Sequence, residues 1–132
     1  MDVTGRCHCG SITYRAAIDP ERVTICHCTD CQQLTGSAYR VTTSGRVEDF
    51  ELLSGAPKAY IKRGESGASS QQYFCPHCGS HLYRLADGQD RIGIRLGSID
   101  QRMALPPTRQ IWCRSAFSWT GDIGNLPQRS KE

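Results

Sequence analysis

Seven of the eight cysteines in this 132-residue chain fall into three tight clusters. They are Cys7-His8-Cys9, Cys26-His27-Cys28-Thr29-Asp30-Cys31 and Cys75-Pro76-His77-Cys78. Cys-x-Cys and Cys-x-x-Cys are chelate spacings that bring two sulfurs onto one ion. A structural zinc site is closed by four protein ligands, whereas a catalytic one has three and keeps a position open. Two pairs and one triad therefore fit one closed site and one open site. At an open position a thiol loses its proton and a carbonyl oxygen is polarised. Such a site suits addition of a thiol to an aldehyde.

The pairs Cys7/Cys9 and Cys75/Cys78 are assigned to the closed site. Cys9 and Cys75 are 66 positions apart, and closing so long a loop costs entropy that metal binding can offset. Phe74-Cys75-Pro76-His77-Cys78-Gly79 has the form of a zinc-knuckle turn, with Gly79 where a positive φ is needed. Cys26, Cys28 and Cys31 are left for the open site. On the residues alone, other readings stand beside this one. The triad could be a second closed zinc completed by a histidine or Cys113, or an iron–sulfur cluster. A disulfide framework is the third, and a reducing compartment disfavours it.

All four histidines, His8, His27, His77 and His81, lie in or beside the clusters. His8 and His77 sit between chelating residues and are expected to point away from the ion. His27 borders the open site and is expected to transfer protons there. His81 is expected to cap a hairpin. Cys113 stands alone in Ile111-Trp112-Cys113-Arg114 and is expected to be an inert buried thiol.

The elements that position these residues read as short strands. Residues 12–16, 23–25, 38–42, 58–62, 71–74, 81–85 and 91–96 are rich in β-branched and aromatic residues and bounded by Gly, Pro, Asp and Ser. Their spacing predicts a mainly β, antiparallel fold. One short helical turn is expected over residues 31–35, capped by Thr29 or Asp30 and stopped by Gly36. It would set Cys28 and Cys31 one turn apart on the same side. Residues 63–70 have the composition of a hairpin tip. A single domain is expected over residues 1–124, with a tail at 125–132.

No apolar run approaches the roughly 20 residues that cross a bilayer, and no secretory leader is read at the N-terminus. The expected location is the cytoplasm. The formal charge of +3 counts every cysteine as neutral. Seven thiolates and two divalent ions would cancel it. Without a dense Lys/Arg run, nucleic acid is not the expected partner.

In this order the clusters resemble the glutathione-dependent formaldehyde-activating enzyme family, whose domain is shared with centromere protein V. The resemblance spans roughly residues 5 to 122. It rests on Gly5-Arg6-Cys7-His8-Cys9-Gly10, on Cys26 to Cys31 followed by Gly36-Ser37, on Phe74 to Tyr83, and on Gly97-Ser98-Ile99-Asp100. It implies an Mss-four-like fold with zinc-knuckle hairpins. It implies two zinc ions, a structural one on Cys7, Cys9, Cys75 and Cys78 and a catalytic one on Cys26, Cys28 and Cys31. It also implies a carbon–sulfur lyase that condenses glutathione with formaldehyde to S-hydroxymethylglutathione. Family members often carry basic residues directly after the third triad cysteine, where this chain has Gln32 and Gln33. They often close with His-Ile and Pro-Trp, where this chain has Gln110-Ile111 and Ser118-Trp119. Glutathione carries two carboxylates, so Arg40, Lys62, Arg84 and Arg114 become the candidates to meet them. The expected partners are a small thiol and an aldehyde. The competing class is a non-enzymatic zinc module that binds protein or nucleic acid.

Overall fold

Alternating apolar and polar residues commit each strand to two different faces. The computed structural model, which describes residues 1–131, is an antiparallel sheet with a short parallel addition. Its strands are β1 (Asp2–Arg6), β2 (Thr13–Cys26), β3 (Arg40–Ser54), β4 (Lys58–Arg63), β5 (Ser69–Phe74), β6 (His81–Ala86), β7 (Arg91–Arg95) and β8 (Arg109–Ile111). A single α-helix among the described residues, α1 (Thr29–Thr35), lies between β2 and β3. The strand order is β1-β2-β3-β7-β6-β5-β4. β3 occupies one edge of β2. The other edge is divided: β1 pairs with its first half, and β8 runs parallel to its last three residues. The expected mainly β antiparallel fold is the one observed.

One face of the sheet carries the core. Tyr14, Ile18, Val23, Thr43, Leu82, Tyr83, Ile92, Ile94 and Ile99 are all buried. Aromatic rings link the early strands to the later hairpin, with Tyr14 to Phe50 at 5.2 Å, Phe50 to Tyr83 at 4.7 Å and Tyr83 to Tyr73 at 4.6 Å. Such pairs add stability beyond the area they bury. β1 is tied down at its far side, where Asp100 N–H donates to Thr4 O at 2.9 Å and Thr4 Oγ1 donates to Asp100 Oδ2 at 2.7 Å.

Four expectations need correction. Residues 12–16 and 23–25 belong to one continuous strand, β2, not two. Its pairing with β3 shifts between Asp19 and Thr24, leaving Pro20 in a bulge where no ladder donor is required. β3 runs on to Ser54, well past the expected end at Thr42. β1 was not among the expected strands, and its short mixed sequence gives little periodic signal. The cap of α1 is Cys28, whose sulfur accepts from Cys31 N–H, not Thr29 or Asp30. Gly36 does stop the helix, at φ 63. No helix among the described residues is long and apolar enough to cross a membrane. Residues 126–131 are exposed and lie outside any helix or strand, and Glu132 lies outside the described residues.

Gly5 is required by packing. A Cβ at this position would collide with the ring of Tyr14, which is fully buried and whose hydroxyl bonds Ser98 Oγ at 2.7 Å. Gly5→Ala is expected to cost about 2 kcal/mol or more, as overpacking in a dense core does. Chemical denaturation should show a lower midpoint with an unchanged slope. An unchanged midpoint would mean that the Tyr14 ring has room to retreat.

Candidate metal centres

Two knuckles of similar build form the first centre. Cys7, Cys9, Cys75 and Cys78 place their sulfurs within 4.8 Å of one another. In the first knuckle Cys7 N–H donates to Ile12 O at 3.1 Å, and in the second Cys75 N–H donates to Ser80 O at 2.9 Å. Each knuckle ends on a glycine in the left-handed region, Gly10 at φ 79 and Gly79 at φ 75. His8 N–H crosses between them to Ser80 Oγ at 2.9 Å. The Cys7–Cys9 and Cys9–Cys75 sulfur separations are 3.5 Å and 3.8 Å. Sulfurs bound to one tetrahedral zinc at ~2.3 Å would stand ~3.8 Å apart, so the donor set fits that ion. The Cys78 thiol is pulled down to about 5 by the Ser80 hydroxyl and backbone N–H groups, which favours a thiolate before any ion arrives.

The second centre joins three structural contexts. Cys26 ends β2, Cys28 caps α1, and Cys31 lies buried in its first turn. Their sulfurs also lie within 4.8 Å of one another, with no histidine, carboxylate or further cysteine in the group among the described residues. Burial opposes ionisation of Cys28, but bonds with Cys31 and Cys26 and the charge on Arg40 outweigh it, so its thiol is lowered. Burial raises that of Cys31. Of these two thiols Cys28 therefore gives up its proton more readily.

His27 lies between two of these sulfurs yet faces the protein interior. It is 2% exposed, its Nε2 is 2.8 Å from Gln110 Oε1, and its ring meets Tyr39 edge-on at 5.5 Å. The tautomer protonated on Nε2 satisfies the Gln110 bond and leaves the buried Nδ1 without a partner. Gln32, the residue after the triad, donates through Nε2 to His27 O at 3.0 Å and to Ser115 O at 2.9 Å. It holds the cysteine loop to the C-terminal segment instead of facing a ligand with that amide. Cys113 is not the buried thiol expected: the chain turns at Trp112, φ 57, into a short 3-10 segment, and Cys113 is exposed.

A cleft of about 300 Å³ opens beside the triad, with Cys26 in its wall. Six arginines line it, Arg22, Arg40, Arg84, Arg91, Arg95 and Arg109, and no acidic residue does. Of the four cations considered from the sequence, Arg40 and Arg84 are here. Lys62 is instead paired with Asp30 at 2.8 Å, and Arg114 lies over the Trp112 ring at 4.9 Å. The other four arginines of the wall were missed, although alternation in Arg91-Ile92-Gly93-Ile94-Arg95 already puts its two arginines on one face. Arg95 is 5% exposed. Burial and the neighbouring charge of Arg40 push its guanidinium down to about 9, so it remains charged at neutral pH. Burial and Arg40 likewise lower Arg84, and burial with Arg95 and Arg40 lowers His81.

Residues 2–115 match the family model described as glutathione-dependent formaldehyde-activating enzyme. A Halomonas elongata protein provisionally named as such an enzyme is 30% identical over 88 residues, covering 63% of this chain and 55% of that one. The chain thus spans about half the length of that relative. The crystal structure of a Rhodobacter sphaeroides protein has the same fold, with a TM-score of 0.64 at 16% identity over 81% of this chain and 98% of that one.

The two centres should respond differently to loss of one ligand. Cys75→Ser breaks the clip between residues far apart in sequence and is expected to lower the melting temperature by about 10 °C or more. Cys28→Ser should leave the fold largely intact and remove one metal equivalent. Thermal melts with elemental analysis of both variants decide the matter. An equal loss of structure would make the triad structural too.

Proposed function

The chain belongs to the glutathione-dependent formaldehyde-activating enzyme family, and from that premise we propose that it is a zinc-dependent enzyme of the carbon–sulfur lyase type. It would join a small thiol, such as glutathione, to an aldehyde, such as formaldehyde. The observation that carries this reading is a three-sulfur centre whose Cys26 stands in the wall of an open cleft. The four-sulfur centre of the same protein is its closed counterpart.

Cys7, Cys9, Cys75 and Cys78 would hold the structural ion, and Cys26, Cys28 and Cys31 the catalytic one. An ion held by three cysteines has room for one more ligand and supplies Lewis acidity and thiol deprotonation there. The chain's own residues do the rest. The substrate thiol gives up its proton, its sulfur bonds to the carbonyl carbon, and the former carbonyl oxygen takes a proton. The product is a hydroxymethyl thioether, and no atom is lost. Arg40 and Arg95, close to the triad sulfurs, would stabilise negative charge as it moves from sulfur to oxygen. His27 and Gln32 would act by fixing the loop: one is braced on Gln110, the other on two backbone carbonyls. A cytoplasmic setting, where thiols stay reduced, suits such chemistry.

Cobalt substitution gives the direct test, because thiolate-to-cobalt absorption changes when a new sulfur joins a tetrahedral site. Adding a small thiol should perturb the bands, and Cys28→Ser should abolish the response. Incubation of the native zinc form with thiol and formaldehyde should then yield the hydroxymethyl adduct faster than buffer does. A spectrum unmoved by every thiol at millimolar concentration would sink the enzyme reading.

A further inference from the structure

The arginine-lined cleft is more cationic than a three-sulfur metal site requires. Most of its lining comes from one face of five strands. Register sets Arg109 of β8, Thr24 of β2, Thr42 of β3 and Arg95 of β7 in one row across the sheet. Arg40 is opposite Cys26, and Arg84 of β6 is opposite Gly93 of β7. Gly93 keeps the floor open, since a Cβ there would press on Thr42 Cγ2 at 3.2 Å and approach Arg84 Cγ at 3.6 Å.

These guanidinium groups have few partners of their own. Arg22 is paired with Asp19 at 3.2 Å, whereas none of the other five has a carboxylate partner among the described residues. Arg95 bonds Gln72 Oε1 at 2.6 Å and Thr42 Oγ1 at 3.1 Å, both neutral, and Arg40 bonds the same Gln72 oxygen at 3.3 Å. The Nε atoms of Arg40 and Arg95 are buried without any partner. Buried charge left uncompensated is costly, and a site that tolerates it is prepared for an opposite charge. The triad thiolates do not suffice. Three thiolates with one divalent ion carry a net −1, and Arg40, Arg84 and Arg95 carry +3, leaving a surplus of two positive charges.

We infer that the cleft selects a substrate carrying two negative charges, as one phosphate or two carboxylates, and no ammonium group. The thiol end would reach the triad while the acidic end lies among Arg40, Arg84, Arg91 and Arg95. Planar guanidinium groups bind both acid types through paired N–H donors. An ammonium would find no carboxylate in the lining and would add to the existing repulsion. This deepens the proposed thiol–aldehyde reading and rests on it for the thiol end alone. It also makes zwitterionic glutathione a poorer fit than an all-anionic thiol.

Calorimetric titration of the zinc-loaded protein tests the inference. The probes are 2-mercaptoethanol, glutathione, mercaptosuccinate, pantetheine, pantetheine 4′-phosphate, inorganic pyrophosphate and a short oligodeoxynucleotide. Mercaptosuccinate and pantetheine 4′-phosphate should each bind at least about tenfold more tightly than 2-mercaptoethanol and pantetheine, as one charge-assisted contact allows. Which of the two is preferred identifies the acid as carboxylate or phosphate. Arg84→Gln and Arg91→Gln should each reduce that preference, and Arg15→Gln, paired with Glu51 outside the cleft, should not. The Arg84 side chain makes no hydrogen bond among the described residues, so its loss should spare the fold. Equal affinity for charged and neutral thiols, or a preference untouched by Arg84→Gln, overturns the inference while leaving the enzyme reading intact. Pyrophosphate binding that Arg84→Gln weakens, with no thiol bound at all, supports the anion site and overturns the thiol reading. Tighter binding of the oligodeoxynucleotide than of pyrophosphate overturns the small-ligand assignment.

Discussion

A pleated strand shows its side chains to two faces in strict alternation, and in this protein both faces are committed. β7 makes the constraint plain. Ile92 and Ile94 are 1% and 0% exposed in the core, while Arg91, Gly93 and Arg95 line the cleft. A slip of one residue would drive two guanidinium groups into the core and two isoleucines into the cleft. The register that stabilises the fold is therefore the register that assembles the site. The same holds in β2, where Val23 is fully buried, while Thr24 and Cys26 face the cleft.

The sheet alone does not bring the cysteines together. Both cysteine groups sit where strands give way to turns, because a chelate needs successive ligands to converge and a pleated strand makes them diverge. The knuckles solve this with a glycine after the second cysteine. The triad solves it differently, by ending β2 at Cys26 and starting a helix at Cys28. Extended backbone at Cys28, φ −63 and ψ 153, turns the chain so that Cys31 comes back beneath the first two sulfurs. His27, caught in that turn, is braced from below by Gln110 next to β8's last residue. The parallel β8 thus supports the loop although it contributes no ligand.

Much of this was legible in the sequence, and the failures have physical causes. Cysteine spacing carries its own chemistry, so the grouping of four and three could be read without a fold. Strands with clean alternation, such as β4, β6 and β7, were found close to their observed ends. The second half of β3 was missed because Gly45-Arg46-Val47-Glu48-Asp49 has weak β propensity, and tertiary pairing overrides it. β2 was read as two strands because Pro20 interrupts it, and only the observed bulge shows how a proline is accommodated. Cys113 was expected inside because free cysteines usually are, but its segment lies outside the sheet. The cationic face was invisible for a different reason. Its arginines come from β2, β3, β6, β7 and β8 and form no run, so a search for local charge density passes over them.

Net charge misleads here for the same reason. Counting thiolates and ions brings the whole chain near neutrality, yet neutrality overall says nothing about how charge is distributed. In the folded protein several acidic groups are spent at the surface, on Arg6, Arg15, Arg22, Arg46 and Lys62. The arginines around the triad have thiols for neighbours instead. Arg95 feels Cys31 and Cys26 as well as Arg40 and Arg84. Attraction to the sulfurs helps to hold the buried Arg95 guanidinium in place, and the positive charge of Arg40 helps Cys28 to ionise. Triad cysteines and arginines are in this way one electrostatic unit, each making the other's burial tolerable. A substitution in either set changes the charge that the other was built to balance, which is why their effects on binding should not be additive.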